Sequence, residues 1–281
     1  MYNWGMKELF KKAIKITNDN IILAIPLMLF MWIIGAYIGF AGMTADTLGK
    51  TVLSLVTIWF LFALTLSGWF YMVKKAVRLY DKVFETEIEH AKAIWKLFTV
   101  IPDGIGKYFA SFAGMALVFA AVMFIFGFII YQTGIHIIGN LDLSAVQIKQ
   151  AMVSPDDMRT FVDGLSEAQL MRLSMWNMLF IAGTSVMSFL TMLWVPEVMF
   201  STKNPLTALF RSVKKLFNKP RKSLLVFLFI TALNILLSFV STFAMLNPVF
   251  YLVIMLAYFY FIVYAIVTLF TYYEWEFCEK T

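Results

Sequence analysis

Six apolar stretches, each long enough to cross a bilayer, constrain this chain more than any motif does. They run Ile21 to Met43, Val52 to Val73, Ala110 to Tyr131, Met175 to Phe200, Leu224 to Met245 and Val249 to Tyr273. A hydrocarbon core about 30 Å thick is crossed by roughly 20 helical residues. Backbone N–H and C=O groups find no water there, so apolar segments of this length must satisfy them internally as helices. Composition agrees, with 61% hydrophobic residues, 14% charged residues and a mean hydropathy of +0.80. The expected fold class is therefore all-α: a polytopic membrane protein of six transmembrane helices, in a single membrane domain over residues 1–281. Lysines ahead of Ile21 imitate the start of a secretory signal. The first apolar run is longer than a signal core, however, and Gly42-Met43-Thr44-Ala45 is a poor cleavage site, so an uncleaved span is expected.

The six spans fall into three pairs, each preceded by a short basic amphipathic segment: Met6 to Thr17, Ile88 to Phe98 and Pro205 to Phe217. Helical spacing puts Met6, Leu9, Phe10, Ala13 and Thr17 on one face of the first and Lys7, Lys11, Lys12 and Lys15 on the other. The second sets Ile88, Ala91, Ile94, Trp95 and Phe98 against Glu85, Glu89, Lys92 and Lys96. The third sets Leu206, Leu209, Phe210, Val213 and Phe217 against Arg211, Lys214, Lys215 and Asn218. All three are expected to lie flat at the cytoplasmic interface. Each serves either as an elbow that turns the chain into the next span or as a surface for lipid or a partner. Repeat-like units follow at about 5–80, 88–201 and 204–275. Each starts from the same side of the membrane, unlike the inverted repeats of many carriers.

Orientation follows from Lys and Arg, 19 of the 23 falling on the side that holds the three basic segments. The positive-inside rule makes that side cytoplasmic, with both termini there and the loop at 134–174 outside. The net charge of +6 thus reflects topology and contact with an anionic leaflet, and no nucleic-acid partner is expected. Candidate lipid contacts are Lys11, Lys12, Lys15, Lys74, Lys75, Arg78, Lys214, Lys215, Lys219, Arg221 and Lys222. In the external loop, Ser144-Ala145-Val146-Gln147 and Ser166-Glu167-Ala168-Gln169 fit the capping box, and Ser154-Pro155 fits a helix start, so three short helices are expected. Its five acids are read as caps and solvated face, or alternatively as a cation or partner site.

Candidate chemistry is sparse. Glu197 is the one carboxylate inside a span, directly after Pro196, whose missing N–H frees the carbonyl of Met192. Either it reaches toward Lys203 or a neighbouring amphipathic helix at the interface, or it serves as a proton or cation site. Asn234, with Thr231, Ser238 and Ser241, gives the fifth span a polar strip suited to interhelical hydrogen bonds or to a substrate path. The Gly35-to-Gly39 strip, extended by Gly42, permits close packing within the fold or between protomers. Pro102-Asp103-Gly104 reads as a turn. Cys278 stands alone, His90 and His136 are expected on opposite sides of the membrane, and no catalytic or metal-ligand spacing occurs, so neither enzyme activity nor a cofactor is expected.

One segment resembles a known group. Val195-Pro196-Glu197-Val198-Met199-Phe200, followed after a polar turn by Asn204 to Asn218, is similar to the fourth-span exit and next helix of YciC-like six-span bacterial inner-membrane proteins. That superfamily includes the membrane domain joined to glycerophosphodiester phosphodiesterases. Pro196, Ser212 and Asn218 occupy its characteristic places. The resemblance implies a protein of the bacterial cytoplasmic membrane with an envelope- or lipid-associated role. It brings no catalytic residues, because the metal-binding acids and histidines of the phosphodiesterase domain have no counterpart here. Two functions remain open from sequence. One is a non-catalytic scaffold that organises anionic lipid, a membrane-protein partner or a homo-oligomer. The other is a small-molecule transporter or permease subunit using Glu197 and the polar strip of span five.

Overall fold

A computed structural model describes residues 5–44, 47–80, 82, 86–140, 154–243 and 247–278. All secondary structure among these residues is helical. The helices are α1 (Met6–Asp19), α2 (Ala24–Thr44), α3 (Leu48–Tyr80), α4 (Glu87–Trp95), α5 (Ile101–Ile137), α6 (Pro155–Asp163), α7 (Glu167–Thr191), α8 (Trp194–Phe200), α9 (Pro205–Asn218), α10 (Pro220–Ser241) and α11 (Pro248–Phe277). Among the described residues six segments are long and apolar enough to cross a membrane, and the chain is an all-α, multi-pass membrane protein. The described residues form two compact units, one of Met1–Val118 with Leu190–Thr281 and one of Phe119–Phe189.

The larger unit holds all three basic helices. Asn20 ends α1, its backbone N–H and side-chain amide both donating to the Ile16 carbonyl at 3.0 and 2.9 Å. One 3-10 turn later the Leu23 carbonyl accepts the Trp69 indole N–H at 2.8 Å, fixing the entry to α2 on α3. Leu9, Ala13, Ile16 and Thr17 are buried, and α1 packs on α11 and α3. A run of aromatic rings joins four elements of this core, Phe112 to Phe70 (5.4 Å between centroids), Phe70 to Phe270 (6.0 Å) and Phe270 to Phe200 (5.7 Å). Such pairs add about 0.5–1.5 kcal/mol each beyond the area they bury.

The Pro102-Asp103-Gly104 segment is not a turn. It is the first turn of α5, where proline needs no N–H and the glycine lets α5 touch α3. A Cβ on Gly104 would stand 2.6 Å from the Tyr71 Cβ and 3.0 Å from the Gly68 Cα, so the helices meet backbone to backbone. By contrast, a Cβ on Gly35, Gly39 or Gly42 would meet nothing within 4 Å, so that strip is not a packing seam of this unit.

In the smaller unit the end of α5 packs on α7. Gly134 leaves room for the Trp176 ring and Gly183 for Ile130. Gly139, at φ 88°, closes α5 with its N–H directed to the Gly134 and Ile135 carbonyls, a left-handed C-cap. Trp176 Nε1 and Arg172 Nη1 donate to the Gly139 and Asn140 carbonyls at 3.1 Å each. Ser154 caps α6 as expected, accepting the Asp157 N–H. Ser166 and Gln169 form the capping box, but that start opens α7 itself rather than a separate short helix. The Ser144-to-Gln147 start lies outside the described residues.

Candidate functional site

The fourth apolar stretch does not run through as one helix. Pro196 has no N–H for the Met192 carbonyl, and the chain turns at Met192 and Leu193 before α8 restarts with the Glu197 N–H on the Leu193 carbonyl at 2.9 Å. Five of the seven α8 residues are buried: Trp194, Pro196, Glu197, Val198 and Met199. The Trp194 indole donates to the Pro205 carbonyl at 2.8 Å, folding α9 back beside α8. Asn204 caps α9 by accepting from the Leu206 and Thr207 N–H groups at 3.0 and 3.1 Å.

This arrangement delivers three polar side chains to one point. Glu197 has no solvent exposure. Its Oε2 accepts from the Tyr273 hydroxyl at 2.7 Å and pairs with the Lys215 ammonium at 2.8 Å. Lys215 also lies 4.5 Å from the centroid of the Tyr273 ring. Among the described residues Glu197 Oε1 has no hydrogen-bond partner. The expected reach toward a neighbouring amphipathic helix is thus met by Lys215, while Lys203 stands 5.6 Å from the Tyr108 ring instead. Taking two charges out of water is costly, and their attraction offsets this only with close geometry and added hydrogen bonds, which Tyr273 supplies.

The other end of α8 is held by α3 and α5. The Lys74 ammonium and the Tyr108 hydroxyl (3.2 Å) both donate to the Met199 carbonyl, at the negative end of the helix dipole. Arg78 pairs with Glu274 at 3.2 Å, and its guanidinium lies 5.3 Å from the Phe200 ring. Glu276 accepts from Lys219 and from Lys222, the latter at 2.6 Å. Burial pushes the neighbouring Cys278 thiol up, Glu274 adds to the rise, and Lys215, Arg78 and Lys74 oppose it. Among the described residues no three His, Cys, Asp or Glu side chains are grouped to hold a metal ion.

Five of the sequence-derived lipid contacts, Lys74, Arg78, Lys215, Lys219 and Lys222, therefore have partners within the protein, although Arg78 and Lys219 stay exposed. Lys11, Lys15, Lys75, Lys214 and Arg221 are exposed. Lys12 and Lys15 lie 5.2 and 5.5 Å from the Tyr80 ring. Asn234 is exposed on α10, about 21 Å along the axis from Pro220, and takes no part in the Glu197 cluster. Sequence reasoning passed over Tyr273, Tyr71, Tyr108 and Lys107, and named Lys203 only as a partner for Glu197. The tyrosines lie within or at the edge of apolar runs and carry the same signal as core aromatics.

Fold and site define a multi-pass α-helical membrane protein whose broken fourth span is held to α9 by an ion pair and to its last helix by a tyrosine hydrogen bond. No protein-family model matches the chain, and no curated protein or solved structure is detectably similar to it.

Proposed function

We propose that this protein is a non-catalytic, lipid-associated scaffold of the bacterial cytoplasmic membrane, with its basic helices on the cytoplasmic side in contact with an anionic leaflet. The observation that carries this reading is the exposed side of α9. Leu206, Phe210 and Phe217 are 51, 68 and 63% exposed and share a stripe about 40° wide at 100° per residue. Exposed Lys214 stands about 40° beyond one edge of that stripe, exposed Arg211 lies further round on the same side, and buried Ala208, Ser212 and Leu216 lie on the opposite side. A helix fixed to its protein by small residues, with large apolar groups beside cations on its free side, has the chemistry of a headgroup boundary. On α4, Ile88 and Trp95 are 68 and 65% exposed and extend the pattern. A carrier built on Glu197 fits less well, since Lys215 and Tyr273 close that carboxylate and Asn234 stands apart from it.

The test places a fluorophore at Phe210→Cys in a Cys278→Ser background, in vesicles containing anionic lipid. Quenching by shallow spin-labelled lipid and protection from aqueous iodide are expected. Quenching by iodide alone would remove the lipid reading of α9.

A further inference from the structure

Beside the α8 anchor, the ends of α3 and α5 carry a second cluster that the ion pairs do not explain. The Tyr71 and Tyr108 rings stand 5.7 Å apart and are almost wholly buried. Four ammonium groups surround them. Lys75 and Lys107 lie 5.4 and 5.2 Å from the Tyr71 centroid, and Lys74 and Lys203 lie 5.9 and 5.6 Å from that of Tyr108. Lys107 also donates to the Tyr71 hydroxyl at 3.3 Å. Arg78, Lys215, Lys219 and Lys222 in the same unit each have a carboxylate partner. The four lysines about the tyrosines have none within ion-pair distance among the described residues. Asp103, one turn before Lys107 on α5, attracts that ammonium without pairing with it.

We propose that Lys75, Lys107 and Lys203, gathered on Tyr71 and Tyr108 beside Lys74, bind the phosphate of an anionic phospholipid headgroup. Ring faces hold ammonium groups in place but do not neutralise them, so the cluster keeps an excess of positive charge. Lysine meets phosphate as a compact point charge with three donors. The lipid source is favoured over a soluble phosphate by position. Lys74 and Lys75 directly follow the apolar run of α3, and Lys107 directly precedes that of α5. Tyrosine is also the residue type that sits where hydrocarbon gives way to headgroups.

This inference rests on the lipid reading of the basic helices, yet it concerns different residues from the α9 stripe. The full chain is purified in detergent, stripped of lipid and examined by native mass spectrometry. The probes are phosphatidic acid, phosphatidylglycerol and phosphatidylcholine, each with and without inorganic phosphate. The variant Lys75→Gln/Lys107→Gln/Lys203→Gln should retain the two anionic lipids at least about tenfold less, at roughly fivefold per lost charge before compensation. Lys7→Gln/Lys11→Gln/Lys15→Gln removes the same charge from α1, where exposed lysines meet the leaflet without gathering on one headgroup, and should reduce retention less than the cluster variant does. Lys203 lies in the turn between α8 and α9, so Lys203→Gln disturbs no helix; its expected loss of about threefold keeps the test valid if the triple variant fails to insert. Unchanged retention, or an equal loss in the α1 variant, would overturn the site. Displacement of bound lipid by millimolar inorganic phosphate would assign the cluster to a soluble anion and overturn the lipid occupant. An aqueous α9 stripe with lipid loss in the lysine variant would sink the α9 argument alone, and the reverse pattern would sink this site alone.

Discussion

Helices α1 and α9 have the same length and the same alternation of lysine with apolar residues, yet the protein uses them in opposite ways. In α1 the larger apolar residues go inward, with Leu9 and Ile16 buried and Phe10 stacked on Phe229 at 3.9 Å. In α9 the inward side is mostly small, Ala208 and Ser212 with Leu216, and the phenylalanines stay outside. What α9 lacks in apolar burial it replaces with directional contacts: the Asn204 cap, the Trp194 bond to Pro205 and the Lys215 pair with Glu197. Both helices close on the same ground, because Leu9 and Leu216 belong to one cluster around Tyr272 and Tyr273. A sequence pattern that marks an amphipathic helix therefore does not say which of its faces meets the protein.

Substitutions can break this contrast. The largest effect is expected at the α9 anchor. Glu197→Gln should lower stability by about 3–5 kcal/mol in a detergent unfolding titration, and combining it with Lys215→Met should recover part of that loss. A neutral Glu197→Gln would mean that the ion pair does not hold α9. Next comes α1, where Leu9→Ala should cost about 2–3 kcal/mol by opening a cavity against the tyrosine cluster. Asn204→Ala should cost about 1 kcal/mol through the lost cap, whereas α1 has no side-chain cap to lose. Smallest of all, Phe210→Ala should leave stability within about 0.5 kcal/mol, in contrast to its counterpart Phe10, whose ring is stacked on Phe229.

Cys278 gives a separate kinetic reading of the same region. Its thiol is held above the ordinary cysteine range, so the reactive thiolate is scarce at neutral pH and grows as pH rises. Iodoacetamide should modify it more slowly than a free thiol at pH 7.5, with the gap narrowing at higher pH. Loosening α9 through Glu197→Gln should speed the reaction. An unchanged rate would show that α9 does not cover the thiol.

The spans and the basic helices were legible in the sequence because both are periodic or continuous signals over ten residues or more. Pro196 and Glu197 stood out because a carboxylate after a proline is rare in an apolar run. Their setting did not. Lys215 looked like one more surface lysine of a basic helix, and its role depends on a carboxylate in a different helix. Tyr273 sits in an apolar run where nothing distinguishes a tyrosine that binds a carboxylate from one that fills space. The gathering of Lys107 and Lys203 on buried tyrosines likewise depends on the contact of α3 with α5, which Gly68 and Gly104 permit and no local pattern announces.

The bond between Glu197 and Tyr273 spans 76 residues of chain. During synthesis the carboxylate thus emerges long before the hydroxyl that completes its setting, whereas its ion-pair partner Lys215 follows it closely in the chain. The broken fourth span therefore stays provisional until α11 has been made and inserted. The last helix is thus what completes the setting of a carboxylate made 76 residues before Tyr273.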